Sequence, residues 1–195
     1  MSEMPVSGAT ARAVADAAPG LLMLPAGGCP EQLAATIRRA VRARTSWRDT
    51  ADQVAAGLRR RLPGADLLTP EQLRGDRAGY QTHLLHAEPD GSFSVAVMVW
   101  LPGQQTPIHD HVAWCVTAVL RGTEYEEIFA ARDGRLEVTA RNQNPAGTVA
   151  AFAPPGDIHQ VRNSGPGVAV SMHVYGADLT RLGSSIRREY HLPIA

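Results

Sequence analysis

From about Gly79 onward, the chain is cut into short stretches of β-branched, aromatic and small apolar residues, each closed by a turn. The stretches are QTHLLHAE, SFSVAVMVWLP, CVTAVLRGTEYEEIFA, RLEVTARN, TVAAFAPP and VAVSMHVYG. Pro89-Asp90-Gly91, Asp133-Gly134, Asn144-Pro145 and Ser164-Gly165-Pro166-Gly167 punctuate them at roughly regular intervals. Strand-like runs of this length, separated by turn residues, predict a mainly β architecture, an antiparallel barrel or jelly roll.

The part ahead of this reads differently. Over residues 30–44, Leu33, Ile37 and Val41 recur four apart, which is one face of a helix, and Pro30 suits the start of one. Residues 50–62 repeat the pattern with Val54, Leu58 and Leu62 before Pro63-Gly64 ends it. Thr69-Pro70-Glu71 opens a further short turn of helix. Residues 1–28 are dominated by small residues and are expected as a flexible leader. The expected organisation is therefore a leader over 1–28, a helical segment over 29–78 and a β-barrel domain over 79–195, in one globular unit without internal repeats.

Composition excludes several functions. The 19 basic and 19 acidic side chains cancel, so the chain lacks the concentrated positive charge that nucleic acid or an anionic membrane surface demands. Arg38-Arg39 and Arg59-Arg60-Arg61 are read as solvated helix faces. No apolar run approaches the ~20 residues of a membrane span, and no basic segment followed by an apolar one marks a secretory signal. A cytoplasmic protein is expected, as a monomer or small homo-oligomer. Cys29 and Cys115 are accordingly expected as free thiols.

Three histidines carry the chemistry. His109 and His111 are two apart on a predicted strand, so both face one side. His159 follows in Pro154-Pro155-Gly156-Asp157-Ile158-His159. Neutral imidazoles in this number suit Fe(II), Zn or Ni, with coordination positions left open for other ligands. Asp110 and Asp157 adjoin the histidines and are expected behind them or in turns.

At these residues the chain resembles the cupins. Gly103, His109, His111 and Gly122 match the motif Gly-x5-His-x-His-x3-Glu-x6-Gly, with Cys115 where Glu is usual. Pro154, Gly156, His159 and Asn163 match Pro-x-Gly-x2-His-x3-Asn, with Gly147 one residue early. The resemblance implies a cupin jelly-roll barrel carrying an N-terminal helical segment. A cupin with Cys in the Glu position is similar to the thiol dioxygenases, namely cysteine dioxygenase and its bacterial relative 3-mercaptopropionate dioxygenase. That family has a Ser-x-His-x-Tyr array on a late strand, matched here by Ser171, His173 and Tyr175. The resemblance implies a relay in which His173 orients the Tyr175 hydroxyl toward the metal. It also raises a thioether between Cys115 and Tyr175, as in the animal enzymes, although Trp114 beside Cys115 follows the bacterial pattern. The implied cofactor is Fe(II), and the implied co-substrate is O2.

The substrate is less determined. The cysteine enzymes hold the substrate carboxylate with an early-strand Arg, where this chain has Thr82, flanked by Gln81 and His83. In the mercaptopropionate branch the anchor is a late Arg. Arg188 is the preferred counterpart, with Arg187 and Arg181 as alternatives, and Trp114 is a further candidate beside the substrate. The expectation is a small carboxylate-bearing thiol oxidised by O2 to its sulfinic acid. The rival expectations are a cupin dioxygenase or isomerase acting on a carbon substrate, and a ligand-binding cupin without turnover.

Overall fold

The structure is a computed structural model that describes residues 20–24 and 29–195. In chain order the elements are β1 (Leu21–Met23), α1 (Glu31–Arg42), α2 (Trp47–Arg60), β2 (Gln81–Ala87), β3 (Ser94–Trp100), β4 (His109–His111), β5 (Cys115–Arg121) and β6 (Thr123–Arg132). Then come β7 (Arg135–Pro145), β8 (Val149–Phe152), β9 (His159–Asn163), β10 (Ala169–Tyr175), the single turn α3 (Leu179–Leu182) and β11 (Ile186–Glu189). Two 3-10 turns, Ala65–Leu67 and Gln72–Arg74, lie between α2 and β2.

The strands form two sheets. One has six strands in the order β1-β2-β3-β10-β5-β8, and the other has five in the order β11-β4-β9-β6-β7. Pairing is antiparallel throughout except between β1 and β2. This is the cupin-type jelly roll, mainly β with helices added at the N-terminal side.

Both helices are built as the apolar spacing predicts. Leu33, Ile37, Val54 and Leu58 are buried, and they share one core with Val95, Val97, Val99, Met172 and Val174 of the six-stranded sheet. The helices therefore cover the outer face of that sheet. α2 begins earlier than its apolar pattern shows, because the Ser46 hydroxyl accepts a hydrogen bond from the Asp49 amide at 3.1 Å and caps the helix there.

Three features depart from the sequence expectations. Leu21–Met23, assigned above to a flexible leader, is a strand that pairs with β2 through Leu21 and Thr82; residues 1–19 and 25–28 of the leader fall outside the described residues. Three residues carry too little pattern to register as a strand. CVTAVLRGTEYEEIFA is not one strand but two, in different sheets, broken at Gly122. There φ is +80°, and a Cβ would lie 2.9 Å from the Ala169 Cα, so the chain crosses between sheets where only glycine fits. The late Arg pair, finally, sits on the short edge strand β11 against β4.

The alternation of β10 positions the chemistry. Val170, Met172 and Val174 face the helices, while Ser171, His173 and Tyr175 face the other way, and all six are buried. A strand covered on both sides can afford polar residues on one of them only where they are paired or bind something.

Candidate metal centre

β4 and β9 are adjacent, with His109 paired to His159. His109 and His111 share the inward side of β4, and His159 opens β9, so the three rings converge. One ligand atom from each lies within 4.8 Å of the others, and all three residues are buried. This is the only such group among the described residues.

Each imidazole is held from behind through Nδ1. For His109 the partner is the Pro107 carbonyl at 2.9 Å, for His111 it is Asp157 Oδ2 at 2.9 Å, and for His159 it is Glu126 Oε1 at 2.8 Å. All three partners are acceptors, so Nδ1 carries the proton and the Nε2 lone pair is free. The Asp157 carboxylate also accepts the His111 backbone amide at 3.1 Å. His159 Nε2 is buried and has no hydrogen-bond partner. A buried acceptor without a partner is costly in a packed interior, and a metal ion satisfies it.

Electrostatics disfavour charge on two of the three rings. Burial, reinforced by the neighbouring His159 and His111, holds His109 well below the ordinary histidine range. Burial also lowers His111, with Asp157 opposing. Burial alone would raise Asp157 and Glu126, but their hydrogen bonds to His111 and His159 prevail, and both carboxyls sit below their usual range. Three neutral nitrogen donors with carboxylates behind two of them fit a divalent transition-metal ion. Glu126 was not singled out from the sequence. The signal was present in TEYEEIFA, where Glu124 and Glu126 occupy the inward positions of an alternating strand.

A hydrogen-bonded chain runs along β10 beside this centre. Trp100 Nε1 donates to Ser171 Oγ at 3.0 Å, Ser171 Oγ meets His173 Nε2 at 2.9 Å, and His173 Nδ1 meets the Tyr175 hydroxyl at 3.1 Å. Burial, aided by His111 and His159, lowers His173 to about 3. Burial likewise pushes the Tyr175 phenol up, so both groups are neutral. Glu124 reaches Ser171 from β6, and burial raises its carboxyl to about 7. Trp100 and Glu124 are additions that sequence patterning missed.

Cys115 pairs directly with Tyr175 across β5 and β10, and both belong to one small buried cluster with Leu84, Ala96 and Leu179. Burial pushes the Cys115 thiol up, so it is protonated.

A cavity of about 50 Å³ opens onto the three histidines and Tyr175. Thr82 lines it, as its place on the inner face of β2 requires. Gln81 and His83 do not, because alternation turns them outward; His83 is buried under the opposite face with neither ring nitrogen hydrogen-bonded. Trp114 does not line it either. Its ring packs in the helix-side core and covers Gly176, whose Cβ would lie 2.1 Å from the indole nitrogen. The three arginines also stay outside. Arg187 forms a two-pronged ion pair with the buried Asp110, which also accepts from the Tyr190 hydroxyl at 2.9 Å. Arg188 lies over the Tyr190 ring at 5.6 Å, and Arg181 is exposed on α3. Ile186, next in sequence to Arg187, lines the cavity instead.

No helix among the described residues is long and apolar enough to cross a membrane. Solved structures similar to this chain include a cupin superfamily protein from Desulfitobacterium hafniense (14% identity, 60% of this chain and 90% of that one, TM-score 0.43). Others are a cupin 2 barrel protein from Salinispora arenicola (24% identity, 55% and 83%, TM-score 0.41) and the Cnp3 cupin domain of Schizosaccharomyces pombe (15% identity, 53% and 67%, TM-score 0.41). The sequence model of cysteine dioxygenase type I matches residues 73–184, which hold all three histidines, Cys115 and the Ser171-His173-Tyr175 array. That match spans more than half of the 195 residues, and the chain belongs to the cysteine dioxygenase type I family.

Proposed function

We propose that this protein is an iron(II)-dependent thiol dioxygenase that converts a small thiol and O2 to the corresponding sulfinic acid. The single observation that carries this is the buried three-histidine set with a Cys where a carboxylate ligand would stand, beside the Ser171-His173-Tyr175 chain. The overall change, RSH + O2 → RSO2H, balances without an external reductant.

His109, His111 and His159 would hold the metal through Nε2. Bound iron(II) supplies the electronic coupling that lets O2 react with sulfur. The protein contributes position and proton control. Carboxylates behind His111 and His159 orient the rings and raise their basicity. The Tyr175 hydroxyl faces the cavity as a neutral donor whose orientation is set by His173, itself fixed by Ser171 and Trp100. A proton released when the thiol binds can be held at this chain while the sulfur is oxidised. The cavity's small volume matches about four water-sized groups, which suits a short thiol. Thiols of the 3-mercaptopropionate or cysteine type are the first to test, and a cytoplasmic location accords with the free thiols.

Oxygen uptake by iron-loaded protein over a panel of small thiols, with sulfinate as product, tests the function. His159→Ala should lose iron and turnover together. Thiol-independent behaviour of the parent, or retained turnover in the variant, would refute it. The direct pairing of Cys115 and Tyr175 also supports a thioether between them in the active protein. That bond forms by two-electron oxidation, with O2 taking up the two hydrogens, so intact mass of the active protein should fall by two hydrogens and the shift should vanish in Cys115→Ser.

A further inference from the structure

Resting on the thiol dioxygenase function above, we propose that Glu124 stores the proton that a thiol gives up on binding, receiving it through Tyr175, His173 and Ser171. Ser171 Oγ has one proton to donate and two lone pairs. The Trp100 indole, which can only donate, occupies one lone pair at 3.0 Å. One proton and one lone pair are left for two partners, the Glu124 carboxyl and His173 Nε2 at 2.9 Å. Ser171 therefore donates to one of them and accepts from the other.

The relay then has two arrangements. With Glu124 ionised, Ser171 donates to the carboxylate, His173 Nε2 donates to Ser171, and the Tyr175 hydroxyl donates to His173 Nδ1. With Glu124 protonated every bond reverses, His173 Nδ1 donates to the Tyr175 oxygen, and the Tyr175 proton is free to point into the cavity that Tyr175 lines. One proton connects the two states. The thiol proton moves to the Tyr175 oxygen, the Tyr175 proton to His173 Nδ1, the Nε2 proton to Ser171 Oγ, and the Ser171 proton to Glu124. The sum is RSH + Glu124-COO⁻ → RS⁻ + Glu124-COOH, and the three residues between end neutral.

The proton settles at Glu124 because it is the strongest base of the relay. Burial raises its pKa to about 7 against the Ser171 hydrogen bond, and the charge of Glu126 on the same strand adds to the rise. Its Oε1 is buried without a hydrogen-bond partner, so nothing on that side offsets an ionised carboxylate. His173, at about 3, is the weaker base, and the Tyr175 phenol stays protonated because burial raises it. The residues opposite Glu124 on β7 and β9, Asn144 and Asn163, are uncharged. A thiol coordinated to a divalent ion loses its proton outright. Glu124 acts through Ser171 without lining the cavity, so it is a positioning and proton-holding residue.

The test counts protons. Iron-loaded protein is titrated calorimetrically with 3-mercaptopropionate under nitrogen, in two buffers of different ionisation enthalpy. At pH 8 the parent should release about one proton fewer per thiol bound than Glu124→Gln, and at pH 5, where Glu124 already holds its proton, the two should match. Equal release at pH 8 overturns the inference and leaves the thiol dioxygenase function standing. A second measurement needs no variant. In zinc-loaded parent labelled with 15N-histidine, NMR should show His173 protonated on Nδ1 at pH 5 and on Nε2 at pH 9, with a midpoint of about 7. A tautomer that does not change with pH overturns the inference. Failure of the thiol to bind iron-loaded protein overturns the function and the inference together.

Discussion

Glu124 is the residue with the largest consequence outside the ligand set. It is fully enclosed on β6 beside Ser171, one of its oxygens has no hydrogen-bond partner, and burial raises its pKa to about 7. The folded state therefore keeps a proton that the unfolded chain releases near pH 4.5. The stability this gives is complete at low pH and is lost as pH rises from about 4.5 to 7, with a slope of up to about 1.4 kcal/mol per pH unit. His173 acts with the opposite sign. Its folded pKa of about 3 lies below the ordinary 6.5, so stability is lost as pH falls through that interval. Glu124→Gln removes the first slope and leaves the second. Denaturant unfolding at pH 5 and pH 8 should show the variant gaining on the parent as pH rises, whereas a pH-independent difference would mean that Glu124 is ionised in the fold. The same residue shows where sequence patterning stops. Glu124 and Glu126 sit at inward positions of β6, but which acid meets a histidine and which meets a serine depends on the strands opposite them.

At the scale of elements, the site depends on β10 and on how β5 is locked to it. Cys115 faces Tyr175, the Gly176 amide donates to the Trp114 carbonyl at 2.9 Å, and the Trp114 ring lies against Gly176. Only a residue without a Cβ permits that approach, so Trp114 is a packing residue that sets the strand register. Gly176→Ala should displace the indole and cost about 1–3 kcal/mol in chemical denaturation. Activity should fall along with stability, since Tyr175 is the adjacent residue. The apolar spacing of α1, α2 and β10 made these elements readable from sequence, because burial of one face is a periodic property. β1 and β11 were not readable as strands, and β4 was readable only through its two histidines. They span three or four residues each, and their pairing comes from partners distant in the chain.

Across the whole molecule, the two sheets and the helical layer meet around a centre whose ligands come from two strands and whose supporting acids come from β6 and the segment before β9. Metal binding should therefore stabilise the entire fold. At a free ion concentration of 100 times Kd, linkage contributes about 2.7 kcal/mol, enough to raise Tm by roughly 5–10 °C in a domain of this size. Scanning calorimetry with and without Fe(II) or Zn(II) should show this rise in the parent and its loss in His159→Ala. An equal rise in both would place the metal elsewhere. The sequence by itself determined the jelly-roll class, the three histidines and the Ser171-His173-Tyr175 face, because alternation and short motif spacing are local properties of the chain. Tertiary structure decided the rest. It turned Arg187 toward Asp110, put Ile186 on the cavity wall, drew Leu21 into the site and set Glu126 behind His159. Those outcomes follow from pairing between strands far apart in sequence, where register, not residue type, chooses which side chains share a cavity.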